Sequence, residues 1–325
     1  MVEKKVTICL PTYRNGRTIV QTLRSLQDQS YENLEIIIRD DHSEDDTVSK
    51  IRDSIANDPR CKLFVNEKNL GIVHNWNRCL RDAHGDYICI FHGDDIYDKD
   101  IIAKEVHVLN NAQNVGIVFA AGTFVNEKDV VIQPWELPPT MARNDTYALA
   151  DLLPTFLVTG NFLICPTAMT RREVYNQFGM YNDCYTLGQD LDMWLRILAG
   201  SWETAIIEEP LIKYRVSEAQ ATSKYHRQRI QISEQFIILD KFLWDNRHKL
   251  RIPPGIKRQY ANRKARDLFK CAIQAVRTNE IRTAKHLIKE SLIYQKRPKL
   301  LMASWAILMG LNLKLASLVR HLLKS

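Results

Sequence analysis

Five short runs rich in β-branched and aromatic residues, VTICL at 6–10, LEIIIRD at 34–40, KLFV at 62–65, DYICIFH at 86–92 and GIVFAAGTFV at 116–125, alternate with segments of helical periodicity. The helical segments run from Arg17 to Gln29, Asp46 to Asn57, Ile72 to Ala83 and Lys99 to Asn111. A parallel strand pair needs a long crossover, and the crossover helices cover both faces of the sheet, so this rhythm predicts an α/β chain with a mostly parallel sheet. Ligands of such sheets bind beyond the carboxyl ends of the strands. Thr12-Tyr13-Arg14, Asp40-Asp41 and Asp94-Asp95 each stand at or just after a predicted strand end, which brings three strand ends to one crevice.

Beyond Asn126 the pattern loosens. Gln133 to Thr140 is proline-rich (PWELPP at 134–139) and predicts a loop or flap. Helices are expected at 151–158, 171–178 and 190–199, and from Tyr225 onward everything reads helical: 228–245, 256–277, 282–294 and 300–323, punctuated by PPG at 253–255 and by Pro298. Two domains are therefore expected, residues 1–222 and 223–325. The charge divides near the same place. The net +7 is the sum of an acidic front, with 23 Lys and Arg against 32 Asp and Glu in the first 225 residues, and a basic back, with 22 against 6 in residues 226–325.

With 325 residues, 45% of them apolar and 26% charged, the chain has enough apolar content for a sizeable core, which excludes disordered and collagenous classes. Seven scattered cysteines, odd in number and without a C-x-x-C pair, read as reduced thiols and suggest neither a disulfide framework nor a zinc ribbon. The apolar run Val6 to Leu10 is too short for a signal segment, and the uncharged stretch Leu300 to Leu313 is 14 residues long. A bilayer span takes roughly 20. No transmembrane helix is predicted, and a cytoplasmic location is expected, peripheral at the inner face of the membrane if the basic helices bind there.

No G-x-G-x-x-G follows the first strand and no G-x-x-x-x-G-K-[ST] occurs, so the common backbone cradles for phosphate are missing. Asp94-Asp95 offers another solution, since hard divalent cations take carboxylate ligands and bridge to a diphosphate. Taken alone, an Asp-Asp pair is more often a helix cap. Its context is CLPTYRNG at 9–16, IIIRDDHSEDDT at 36–47, NLGIVHNWNRCLRDAHGDYICIFHGDD at 69–95 and LGQDLDMWLRI at 187–197. Together, in that order, these segments resemble the family 2 glycosyltransferases, a likeness that covers roughly residues 4 to 222. The resemblance implies a GT-A nucleotide-sugar-binding fold with a mostly parallel mixed sheet, followed here by an all-helical C-terminal domain. It also implies an inverting, Mn²⁺- or Mg²⁺-dependent transfer of a sugar from a nucleotide diphosphate to an acceptor hydroxyl, in cell-surface polysaccharide or glycolipid assembly.

Carried over position by position, the resemblance gives Tyr13, after Pro11 and Thr12, contact with the nucleotide base, where an aromatic ring can stack. Asp41 hydrogen-bonds the base, and Asp40 supports the loop. His42 stands where a glycine is usual. Asp95 is the first choice as direct metal ligand, with Asp94 toward the ribose or a metal-bound water; the two can exchange roles, so both are candidate metal ligands. His92 replaces the first acid of the usual D-x-D-D motif and either ligates or finishes the strand, a lone histidine being more often structural. Asp190, in QDLDMWLR, occupies the position of the base that takes the acceptor proton, while Asp192 and Arg196 are spaced to pair as i, i+4. Tyr214 and Arg215 fit the family's Y-R-x-H segment, Arg215 reaching the diphosphate, but Ser217 replaces the histidine. Arg78 either contacts the donor or forms a surface ion pair. The donor implied is a nucleotide sugar, a UDP-sugar first, and the acceptor a glycan or lipid-linked sugar.

The basic back admits a solvated helical cap, a nucleic-acid surface or a membrane-surface helix. No nucleic-acid motif accompanies the charge, so nucleic acid is not the expected partner. Leu300, Leu301, Trp305, Leu308, Met309 and Leu313 fall on roughly one helical face, flanked by Lys296, Arg297, Lys299, Lys314, Arg320 and Lys324. Such a face suits either an anionic membrane surface or an internal packing contact. The alternatives to sugar transfer are a sugar nucleotidyltransferase on a related sheet, for which PTYRNG lacks the glycine- and lysine-rich phosphate loop, and a non-enzymatic membrane- or nucleic-acid-binding scaffold.

Overall fold

The computed structural model describes residues 3–139, 141–217, 229–294 and 298–312. The first four apolar runs become β1 (Val6–Thr12), β2 (Leu34–Asp40), β3 (Cys61–Val65) and β4 (Tyr87–Ile90), all parallel and ordered β3-β2-β1-β4. Between them run α1 (Ile19–Gln27), α2 (Thr47–Ile55) and α3 (Ile72–Asp82). Nearly every residue of β1, β2 and β4 is buried whichever face it points to, which is why these strands read as continuous apolar runs.

Next come β5 (Ile96–Tyr97), α4 (Ile101–Asn111), β6 (Val115–Val125), β7 (Val131–Pro134), α5 (Leu149–Thr159), β8 (Met169–Arg171), α6 (Arg172–Phe178), α7 (Gln189–Ala199) and β9 (Glu203–Arg215). The sheet continues from β4 as β8-β6-β9-β5, with β7 added to β6. β6 and β9 are parallel, whereas β8 is antiparallel to both β4 and β6, and β5 to β9, so the sheet is mixed. The proline-rich segment is half regular: Gln133 and Pro134 belong to edge strand β7, and the indole Nε1 of Trp135 donates to the Phe162 carbonyl at 2.8 Å. Thr140 lies outside the described residues.

One buried cluster packs Leu23 of α1 and Val106 of α4 on Ile8 and Leu10 of β1, Ile36 of β2 and Val118 of β6, alternate strand residues that share one face of the sheet. The C-terminal carbonyls of α4 would be orphaned beneath it. Arg171 satisfies them from β8: its Nη2 donates to Leu109 O and, at 3.1 Å, to Ala112 O, while Nε donates to Val115 O at 2.7 Å.

The chain forms two compact units, one comprising the described residues up to Leu152 with Phe162–Ser217, the other Leu153–Asn161 with the described residues from Arg229 on. The second contains α8 (Glu234–Asp245), α9 (Pro254–Arg277), α10 (Ile281–Tyr294) and α11 (Pro298–Asn312). Leu268, Cys271, Ala272 and Ala275 of α9 pack with Ala284, Leu287 and Ile288 of α10 and with Leu308 and Leu311 of α11. The single apolar face expected for the last helix is therefore divided. Leu308 enters the core, whereas Met302, Trp305 and Met309 are exposed at 65%, 55% and 60%. The side chain of Leu300 and residues from Leu313 on, with the flanking cations, lie outside the described residues. Among the described residues no helix is long and apolar enough to cross a membrane.

Candidate active site

The carboxyl ends of β2, β1 and β4 lie side by side and carry the polar clusters. β4 ends at Ile90, paired with Cys9, so Pro11 lies beyond its reach and a residue without an N–H costs no ladder bond on that side. Tyr13 follows, 42% exposed, with the Arg14 guanidinium 5.2 Å from its ring centroid. Asp40 holds the next turn: its oxygens accept from the Thr12 hydroxyl at 3.0 Å and from the backbone N–H and hydroxyl of Ser43, both at 2.7 Å. His42 has φ 62°, in the left-handed region where glycine costs least and histidine is among the better-tolerated side chains.

Asp41 is buried, and both of its oxygens are engaged. They accept from Asn66 Nδ2 at 2.9 Å and from the backbone N–H groups of Leu70 and Gly71 at 2.8 Å, which ties β2 to the start of α3. Gly71 has φ 87°, a conformation that favours glycine. Arg78 is exposed on α3 and donates to Asn66 Oδ1 at 3.2 Å. With Val65, Glu67, Lys68 and Leu70 it lines an open cleft beside the Asp41 turn.

The turn after β4 is tightly held. Thr18 donates to Gly93 O at 2.8 Å and Thr22 to Asp95 O at 2.7 Å. A side chain at Gly93 would meet Asn15 at 3.0 Å. Asp95 is fully buried; its Oδ1 accepts the Arg215 backbone N–H at 2.8 Å, and its Oδ2 has no hydrogen-bond partner among the described residues. Burial, then the charge of Asp94, hold the Asp95 carboxyl well above the usual carboxylate range despite Arg215. Burial pushes the His92 imidazole down, against the pull of Asp94. One ligand atom from each of His92, Asp94 and Asp95 lies within 4.8 Å of the others. An orphaned buried oxygen beside a second carboxylate and an imidazole fits a divalent cation.

Asp190 lies in the first turn of α7, where its Oδ1 accepts the Leu191 N–H at 2.7 Å. Asp192 pairs with Arg196 at 2.9 Å, one turn on. Burial, then Asp190 and Asp95, raise the Cys165 thiol; burial, then Asp95, Asp94, Cys165 and Asp190, raise the Tyr214 phenol. Asp95 and Asp190 thus act on the same two groups. The Arg215 guanidinium is 5% exposed and already committed: Nη1 donates to Asp94 O at 2.5 Å, Nη2 to Gln21 Oε1 at 3.0 Å, and Nε and Nη2 to Asp129 Oδ1. Sequence reading missed Asp129, which lies in the β6–β7 turn 86 residues before its partner. The local signal for that turn was Asn126, whose Oδ1 accepts the N–H groups of Lys128 and Val130.

Similar chains extend over most of this one. Glycosyltransferase MJ1057 of Methanocaldococcus jannaschii, itself uncharacterized, is 24% identical over 213 residues, covering 65% of this chain and 70% of its own. The amylovoran biosynthesis glycosyltransferase AmsB of Erwinia amylovora is 23% identical over 224 residues, covering 66% and 71%. Among solved structures, TarS 1-349 of S. aureus in complex with UDP-GlcNAc superposes with a TM-score of 0.57 at 15% identity, over 89% of each chain. The mannosyltransferase PcManGT of Pyrobaculum calidifontis, in complex with GDP-Man and Mn²⁺, gives 0.51 at 18% identity, over 100% of this chain and 85% of its own. These two share the fold. The sequence profile of glycosyl transferase family 2 matches residues 7–179, more than half of the chain, which therefore belongs to that family.

Proposed function

We propose that this chain is an inverting glycosyltransferase that moves a sugar from a nucleotide diphosphate, a UDP-sugar first, to a hydroxyl of a glycan or lipid-linked acceptor in polysaccharide assembly. Family membership disfavours the nucleotidyltransferase and scaffold alternatives. The relatedness of AmsB supports the polysaccharide setting, and the UDP-GlcNAc complex of TarS the donor class. The observation that carries the reading is the cluster of His92, Asp94 and Asp95 beyond β4, in which Asp95 Oδ2 is buried with no hydrogen-bond partner among the described residues; Asp95 and Asp190 both raise the Cys165 thiol and the Tyr214 phenol.

Asp95 and Asp94 would hold a divalent cation, Mn²⁺ or Mg²⁺, which supplies positive charge against the departing diphosphate. Arg215, fixed by Asp129 and Gln21, seats Asp95 through its backbone N–H. Tyr13 offers an exposed ring to the base, while Asp41 shapes the base side of the crevice through the 66–71 loop. Arg78 lies on the rim of that loop. An alcohol is a very weak acid and must lose its proton as the new bond forms; in this proposal Asp190 is the carboxylate that accepts it. The Asp190→Asn variant is expected to lose transfer by roughly 10²–10⁴-fold while calorimetric binding of the UDP-sugar is unchanged. Undiminished turnover would remove Asp190 from this role.

The helical unit is the part that meets the acceptor's surroundings in this proposal. Its Met302, Trp305 and Met309 face, flanked in sequence by basic residues, suits an anionic membrane surface at the inner leaflet.

A further inference from the structure

We propose that His92 is a direct nitrogen ligand of the divalent cation and makes the site select Mn²⁺ over Mg²⁺; this rests on the metal-dependent reading above. Three independent observations meet at this side chain. First, its Nε2 is buried with no hydrogen-bond partner among the described residues, the same condition as Asp95 Oδ2. Second, His92 Nδ1 lies 4.0 Å from that oxygen, and each of His92, Asp94 and Asp95 brings one ligand atom within 4.8 Å of the others. Octahedral ligands at about 2.1–2.2 Å from an ion are themselves roughly 3 Å apart in adjacent positions and a little over 4 Å apart in opposite ones. The cluster is thus near the size of a cation site before any ion enters.

Third, the imidazole is held in place. Trp76 packs on it with ring centroids 5.5 Å apart, and Trp76 is braced in turn by Tyr181 at 5.2 Å. The His92 backbone N–H donates to the Tyr97 hydroxyl at 2.7 Å, and the Tyr97 ring stacks on Phe91 at 4.1 Å. A histidine that merely ended the strand would gain nothing from a buried Nε2 without a partner and an Nδ1 turned toward a carboxylate oxygen that also lacks one. Imidazole is a poor ligand for Mg²⁺, which prefers oxygen, and a better one for later first-row ions, so one nitrogen in the set moves the preference toward Mn²⁺.

The test is pulsed electron paramagnetic resonance of Mn²⁺ bound to the full chain in the presence of UDP, with natural-abundance and ¹⁵N-histidine-labelled protein. The expected result is a ¹⁴N coupling that changes to ¹⁵N on labelling and is absent in His92→Asp. In that variant Mg²⁺ should displace Mn²⁺ at a concentration lower by about tenfold or more, in line with the 10–100-fold sensitivity of metal sites to their supporting groups. Mn²⁺ bound to the wild type without histidine coupling overturns this inference and leaves the metal-dependent reading standing. Coupling that survives in His92→Asp, or an unchanged Mg²⁺ competition, also overturns it. A wild type that binds no Mn²⁺ at all overturns the metal reading and the inference with it.

Discussion

Glu105 shows how far one side chain can depart from its sequence neighbourhood. It lies on α4, fully buried, and neither carboxyl oxygen has a hydrogen-bond partner among the described residues. Burial holds its carboxyl well above the ordinary value of 4.5. Below that value folded and unfolded chains both keep the proton. As pH rises past it the unfolded chain releases its proton and the folded chain does not, so stability falls until the folded pKa is reached. Glu105→Gln should therefore melt close to the wild type at pH 4 and above it at pH 8, by roughly 2–4 °C for each kcal/mol relieved. Melting curves that stay parallel across that range would refute this origin. Sequence reading identified Asp94 and Asp95 as a pair but could not show which of their oxygens lacks a partner, because that depends on Arg215, 120 residues away from Asp95.

At the scale of elements, β1 to β4 and β6 were legible, whereas β5, β7, β8 and β9 were not. β1, β2 and β4 are buried almost throughout, so apolar content alone marks them. β8 has three residues, too few to display a period, and Glu208, Glu209 and Pro210 interrupt β9 near the shift in its register with β6. Both strands matter beyond their length. β8 carries Arg171, which serves three carbonyls at the end of α4 and the start of β6. Lysine keeps the charge but lacks the fork, so Arg171→Lys leaves buried carbonyls unpaired and should lower stability by on the order of 2–4 kcal/mol, read from the urea midpoint. A loss below about 0.5 kcal/mol, the range of ordinary surface changes, would contradict this account.

For the whole molecule, the charge asymmetry follows the division of labour proposed above. The acidic front supplies carboxylates at strand and helix ends, and the basic back belongs to the helical unit, where α11 buries Leu308 and Leu311 but exposes Met302, Trp305 and Met309. Replacing those three by serine should abolish co-sedimentation with phosphatidylglycerol vesicles while leaving transfer to a water-soluble acceptor intact. A wild type that ignores such vesicles would discard the membrane proposal. The tie between Arg215 and Asp95 has a further consequence for what counts as a unit of this protein. The family profile ends at residue 179, yet the backbone N–H that seats Asp95 comes from β9, at residue 215. The stretch that the profile matches is thus shorter than the stretch that must fold together, and a fragment cut at residue 179 would keep every acid of the β4 turn and lose the strand that aims one of them.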